Sequence, residues 1–180
     1  MFLSLAQDRR SIRKFKPKPI DPGQIDLLVE AALRSPSSMG KNPWSFIIVD
    51  DADQLKALAS AKQFGSAFVK GAPLAIVICA DPQISDVWIE DASIAAIYIH
   101  LAATSIGLGS CWVQIRNRMQ NETTPSKAFV ADLLGIEAHF EVLALVAIGY
   151  PDEEKPAHAI DSLQYEKVHK GEFGKPWQTK

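Results

Sequence analysis

A single domain of mixed helices and strands is what this 180-residue sequence predicts, on three observations. The composition, 47% hydrophobic and 22% charged, suffices for one buried core and gives no sign of a second domain within 1–180. Segments whose apolar residues recur at helical spacing alternate along the chain with short, continuous apolar runs of strand length. Pro and Gly punctuate the boundaries, and neither an internal repeat nor a low-complexity block interrupts the order.

Taken in order, a short helix is expected over residues 2–8. Asp21 reads as an N-cap and Pro22 as the first residue of a helix whose Ile25, Leu28, Val29 and Ala32 share one face, ending before Pro36. Residues 44–49 read as a strand and 51–59 as a helix with Leu55 and Leu58 inward. The unbroken apolar run at 74–80 predicts a fully buried strand. A long helix starts near Val87. Residues 92–115 hold no Asp, Glu, Lys or Arg over 24 positions, enough to suggest a membrane span. Gly107 and Gly109 nevertheless end this helix after Ile106, and His100, Thr104, Ser105 and Gln114 dilute the run, so a buried central helix is predicted and no membrane segment. In a domain of this size, a helix apolar on every face needs a second subunit to cover it, which predicts a homodimer built around it. A strand at 110–115, a helix at 126–134 stopped by Gly135, and a fourth strand at 142–148 follow. Residues 151–180 are polar and Pro-punctuated, with Tyr165, Phe173 and Trp177 as isolated apolar anchors, and are expected to wrap over a body.

Cys79 and Cys111 are far apart, lack C-x-x-C spacing and sit in apolar runs. They are expected to be buried, inert thiols of a cytoplasmic protein, with no disulfide framework or zinc site. The N-terminal MFLSLAQDRR meets charge too early for a signal-peptide core.

Against a formal net charge of −2, residues 9–18 stand out: Arg9, Arg10, Arg13, Lys14, Lys16 and Lys18 place six cations in ten positions without an acid. Like charges so dense repel unless an anion neutralises them. A phosphate-bearing ligand suits the Arg forks and the Ser11 hydroxyl, while a solvated arm that touches nucleic acid nonspecifically suits the spacing equally well. Ile12 and Phe15 tilt the balance toward a segment anchored on a core, and Pro17, Pro19 and Pro22 set an extended exit from it.

Familiar catalytic patterns are missing. Gly40-Lys41 and Gly174-Lys175 precede Asn42 and Pro176 rather than the Ser or Thr of a nucleotide-binding loop, and Gly107-Leu108-Gly109 follows a helix instead of opening one. His100, His139, His158 and His169 have no metal-ligand spacing, and each reads as structural or exposed. Glu90 and Asp91 could form an acid–base pair, but acids in a first helical turn ordinarily serve the helix dipole, the favoured reading. An enzyme without reactive side chains of its own borrows a cofactor that carries the chemistry, and flavin mononucleotide (FMN) fits the arm, the Pro/Ser/Gly loop and the glycine turn.

Four stretches, RRSIRKF (9–15), SPSSMGKNPWSFIIV (35–49), WIEDASIAAIYIHLAATSIGLGSCWV (88–113) and AIGYPDEEKP (147–156), together resemble the nitroreductase family of FMN-dependent oxidoreductases, in the same order over nearly the whole chain. The resemblance implies an α+β sandwich, with a central, mostly antiparallel sheet flanked by helices and a C-terminal extension reaching the dimer partner. It implies FMN sites at the subunit interface. Arg9 and Ser11 would hold the phosphate and ribityl chain, with Arg10 contributing at least backbone contacts, and Arg13 would reach the pyrimidine edge. No side chain would itself be catalytic; Arg13 would tune the flavin by stabilising charge that builds on the reduced ring. Pro36, Ser37, Ser38 and Asn42 would approach from the partner. Leu108, Gly109 and Ser110 would bring backbone N–H groups near N5, and Gly149, Tyr150 and Lys155 would close over the phosphate.

Two departures from the family pattern concern the flavin edge and the phosphate. Where many members read N-x-Q-P-W this chain has Gly40-Lys41-Asn42-Pro43-Trp44, and where many carry Arg after the G-Y-P turn, Ala157 and Ala159 flank His158, leaving Lys155 or His158 to substitute. The implied reaction is ping-pong hydride transfer from NADH or NADPH to a small electron-poor acceptor such as a nitroaromatic or quinone. Reductive dehalogenation, redox sensing and a noncatalytic polyanion-binding module stand as alternatives. The acidic balance and aliphatic body argue against nucleic acid as the partner.

Overall fold

The computed structural model describes residues 2–177. Its centre is a four-stranded antiparallel sheet in the order β1-β2-β4-β3, built from β1 (Trp44–Val49), β2 (Leu74–Ala80), β3 (Gly109–Gln114) and β4 (Glu141–Gly149). Helices α1 (Phe2–Asp8), α2 (Pro22–Leu33), α3 (Ala52–Leu58), α4 (Trp88–Ser105) and α5 (Ser126–Leu134) complete the α+β architecture.

Residues of β2 alternate between two cores, which explains its unbroken apolar run. Ala75, Val77 and Cys79 face a core shared with Leu55 and Leu58 of α3, Val130 of α5, and Ile12 and Phe15. Leu74, Ile76 and Ile78 face the other, with Leu28 and Ala32 of α2 and Ala92, Ala96, Ile99 and Ala103 of α4. Every residue of β2 is buried because helices cover both faces.

Local signals set the helix ends. Pro22 opens α2, and the Asp21 side chain accepts a hydrogen bond from the Gly23 N–H at 2.9 Å. Asp51 caps α3 by accepting from the Gln54 N–H at 2.9 Å. Gly135 adopts φ 65° and stops α5, a left-handed conformation that glycine reaches without a Cβ penalty. Strand β3 begins and β4 ends one residue beyond expectation because Gly109 joins the ladder opposite Gly149, and β4 begins one residue early because Glu141 pairs with Ala80.

Helix α4 is not covered all round within one chain, as its apolar composition in a domain of this size predicts: Ala92, Ala95, Ala96, Ile99 and Ala103 are buried, whereas Ile94, Ile97 and Tyr98 are 36%, 42% and 38% exposed. One expectation requires correction. The C-terminal aromatics do not anchor in this chain's core, since Phe173 is 94% exposed and Tyr165 and Trp177 are about half so. Residues 158–165 do lie beside α1, where His158, Ile160, Leu163 and Tyr165 border an apolar cavity with Leu3 and Ala6. Among the described residues no helix is long and apolar enough to cross a membrane.

Candidate functional site

The basic segment is a docked strand rather than a loose arm. Ile12 donates its N–H to the Ser110 carbonyl at 3.0 Å, Lys16 donates to the Tyr150 carbonyl at 2.9 Å, and Asp152 donates to the Lys14 carbonyl at 2.9 Å. Ser11 pairs with Ser110 and Phe15 with Pro151, so the segment crosses the ends of β3 and β4. Its apolar residues hold it there: Ile12 and Phe15 are 7% and 8% exposed.

Glycine makes that seat possible. Gly109 and Gly149 face each other across β3 and β4. A Cβ at Gly109 would lie 2.8 Å from the Ile12 side chain, and one at Gly149 would lie 2.6 Å from Pro73 Cδ and 2.9 Å from Phe15 Cδ1. Whatever these glycines offer a ligand, their nearest neighbours are the chain's own side chains.

Part of the segment's charge is answered internally. The Glu153 carboxylate accepts from the backbone N–H groups of Arg13 and Lys14 and pairs with Lys155 at 3.3 Å. Those bonds, led by the Arg13 N–H, hold its pKa below the usual carboxylate range. Lys155 also donates from Nζ to the Ser11 carbonyl. Glu153 therefore supplies counter-charge that the density of cations alone assigned to a ligand.

A cleft of about 740 Å³ opens between this strand, the 107–109 turn and residues 151–156, with Arg10, Ile12, Leu108, Gly109, Glu153 and Lys155 on its walls. Gly107, at φ 78°, turns the chain from α4 into the cleft wall. Arg10, Leu108, Gly109 and Lys155 lie together on this cleft, Arg9, Ser11, Arg13, Ser110, Gly149 and Tyr150 are not among its lining residues, and His158 lies against α1. The Arg13 guanidinium stands 5.8 Å from the Phe68 ring centroid. Tyr150 turns toward α2: its hydroxyl donates to Gln24 Oε1 at 2.7 Å, and Lys18 Nζ lies 4.2 Å from its ring centroid. Pro36, Ser37, Ser38 and Asn42 do not line this chain's cleft. They belong to a separate loop bound to the start of α4, where Asp91 accepts from the Ser38 N–H.

Beside Arg9 and the cleft wall, buried His100 and Ser110 share a hydrogen bond, Nδ1 to Oγ, at 2.7 Å. Burial pushes the His100 pKa down to about 4, and the positive charge of Arg9 adds to the effect. The ring is therefore neutral at physiological pH and links α4 to the second residue of β3. Burial also pushes the Cys79 thiol up to about 12 and raises Cys111, so both thiols stay protonated.

Glu153 is a cleft-lining residue that sequence reasoning passed over, although an acid run directly after G-Y-P, opposite in sign to the basic segment, was a usable signal. His100 is buried, one of the two readings offered for it, and Asp91 does not line the cleft.

Comparison with known proteins agrees with this architecture. The family model described as Nitroreductase family matches residues 6–63 and 53–150. A Clostridium difficile structure described as an FMN-dependent nitroreductase superposes with TM-score 0.94 at 45% identity, covering 95% of this chain and 99% of that one. An Archaeoglobus fulgidus protein named for a proposed NADH dehydrogenase/NAD(P)H nitroreductase activity is 36% identical over 173 residues, 93% of this chain and 96% of its own. The NADPH:FMN oxidoreductase of Vibrio harveyi, in complex with NAD+, superposes with TM-score 0.80 at 27% identity over 96% of this chain and 78% of its own.

Proposed function

This chain belongs to the nitroreductase family, and from that premise we propose that it is an FMN-dependent oxidoreductase that moves hydride from NADH or NADPH to a small electron-poor acceptor, such as a nitroaromatic or quinone, in a ping-pong cycle. The observation that carries the reading is the docked basic strand, whose seat on Gly109 and Gly149 places Arg10 and Lys155 on a cleft of about 740 Å³ beside the Leu108–Gly109 backbone. The cleft has the size to hold the phosphate end of a mononucleotide, which would lie against Arg10, Lys155 and the close-approach backbone and away from Asp8, Glu153 and Glu154 on the same walls. When bound, FMN supplies the hydride chemistry.

The chain's own residues bind and tune. Arg9, Arg10, Ser11 and Lys155 hold the phosphate and ribityl chain, and Ser110, fixed by neutral His100, keeps the 108–110 backbone in place. Arg13, with its backbone held by Glu153 and its guanidinium 5.8 Å from the Phe68 ring, would tune the flavin, since a cation at the pyrimidine edge offsets charge gained on reduction. The second subunit completes the site: Ile94, Ile97 and Tyr98 form an apolar stripe at helical spacing along α4, and the loop bearing Pro36, Ser37, Ser38 and Asn42 has no role in its own chain's cleft.

Arg13→Ala is expected to slow anaerobic flavin reduction by roughly 10²-fold in stopped flow, the scale on which loss of one charge-stabilising donor is felt, while loosening FMN far less. An unchanged reduction rate would remove Arg13 from this role.

A further inference from the structure

Asp91 is 2% exposed, yet neither of its carboxylate oxygens is idle. Oδ1 accepts from the Ser38 N–H at 2.7 Å and Oδ2 accepts from the hydroxyl of buried Ser85 at 2.8 Å. Its place in the first turn of α4 favours negative charge, so the carboxylate suits its helix while its bonds reach outside it.

What it holds is a loop that backbone preference alone does not form. Met39, Gly40 and Asn42 have φ of 53°, 66° and 47°, left-handed values that side-chain-bearing residues rarely adopt. Inside the loop, Asn42 donates its N–H to Ser37 Oγ at 2.9 Å and the Ser37 hydroxyl donates to Asn42 Oδ1 at 2.7 Å. Gly40 and Lys41 donate backward to the Ser37 and Ser38 carbonyls at 3.1 and 3.0 Å. These bonds shape the loop but do not attach it to the body. Among the described residues, Asp91 is the one group outside residues 36–42 that hydrogen-bonds to them. The crest of the loop faces outward, with Met39 89% exposed.

We propose that Asp91 is a positioning residue acting across the subunit boundary: it fixes the 36–42 loop in the shape that covers the flavin of the partner subunit. The inference rests on the dimeric, FMN-dependent reading above. It adds that a buried carboxylate in one subunit controls the competence of the site whose basic strand belongs to the other.

Mixed dimers separate this from a local structural role. Differently tagged chains are co-expressed, with Asp91→Ala and the double substitution Arg9→Ala, Arg13→Ala placed either on opposite chains or together on one chain beside a wild-type partner. With the substitutions on opposite chains, one site keeps an intact basic strand and an intact Asp91-held loop, and half of wild-type NAD(P)H oxidation is expected. Together on one chain, the remaining intact strand receives the unpinned loop, and activity is expected to fall at least tenfold below that half. The reverse pattern, or half activity in both arrangements, would overturn the proposal. Asp91→Asn, which keeps an acceptor for Ser38 and an amide to donate to Ser85, is expected to recover most of the activity. If Asp91→Ala does not fold, Ser38→Pro deletes the same bond from the other side and leaves α4 untouched; it is expected to give the same pattern, and half of wild-type activity in the one-chain arrangement would refute the inference. A wild-type protein that takes up no FMN would instead sink the proposed function itself, whereas a flavin-loaded wild type with the reversed pattern sinks only the role of Asp91.

Discussion

Gly149→Ala is expected to lower the free energy of unfolding by about 3 kcal/mol, the upper range for forcing a methyl group into a packed interior. The new Cβ would lie 2.6 Å from Pro73 Cδ and 2.9 Å from Phe15 Cδ1. Both neighbours resist movement, since a proline ring cannot leave its own backbone and Phe15 is itself a buried anchor of the basic strand. Relief must come from lifting that strand, which also breaks the bond from the Lys16 N–H to the Tyr150 carbonyl. Loss of FMN affinity should therefore accompany loss of stability, although the methyl group touches no part of the cleft. Gly71→Ala is the matched control, because nothing lies within 4 Å of its added Cβ and its φ is not positive; its change should stay within about 0.5 kcal/mol. Urea denaturation of the two variants reads the difference, and an unshifted midpoint for Gly149→Ala would contradict the packing account.

Acid should destabilise the fold by up to about 3 kcal/mol through His100 alone, which is the free-energy equivalent of its pKa depression. The folded-state value, about 4, lies below the ordinary 6.5, so the unfolded chain binds the proton more readily than the folded one. Stability is therefore constant on this account above pH 6.5, falls progressively as pH drops toward 4, and levels off below. Glu153 acts with the same sign at lower pH: its depressed pKa adds stability above the usual carboxylate range that is lost on acidification. Urea midpoints measured across pH 8 to 4 for wild type and for His100→Gln, which cannot titrate, isolate the histidine's share. Equal slopes for the two proteins would remove His100 as the cause.

Where local chemistry was strong, the fold was legible. Strands 44–49 and 74–80 and the helix at 126–134 coincide with β1, β2 and α5, because their apolar runs and the glycine at 135 act over a few residues. The Asp21–Pro22 start of α2 is legible for the same reason. The site was legible only in its charged part. Glu153 meets the Arg13 backbone across 140 residues of chain, and Asp91 meets Ser38 across 53, separations at which periodicity says nothing. Asp91 thus read as a helix-dipole acid because its position in α4 was visible and its partner was not. Gly109 and Gly149 entered as residues beside a flavin only through the family resemblance, and that Ile12, Phe15 and Pro73 crowd them required the packed sheet. The outward aromatics of 165–177 differ from the expected anchoring, because isolated apolar residues in a polar segment carry no periodicity that says which surface they meet.

The central claim is that the docked basic strand holds FMN and that the bound flavin accepts electrons from a nicotinamide nucleotide. An absorption spectrum of the purified protein, recorded under argon before and after addition of NADH and then NADPH, tests it most directly. The account predicts a yellow flavin spectrum that bleaches on addition of at least one nucleotide and returns when a quinone or nitroaromatic acceptor is added. A colourless protein that also fails to take up added FMN would contradict it, and would return residues 9–18 to the role of a polyanion-binding surface.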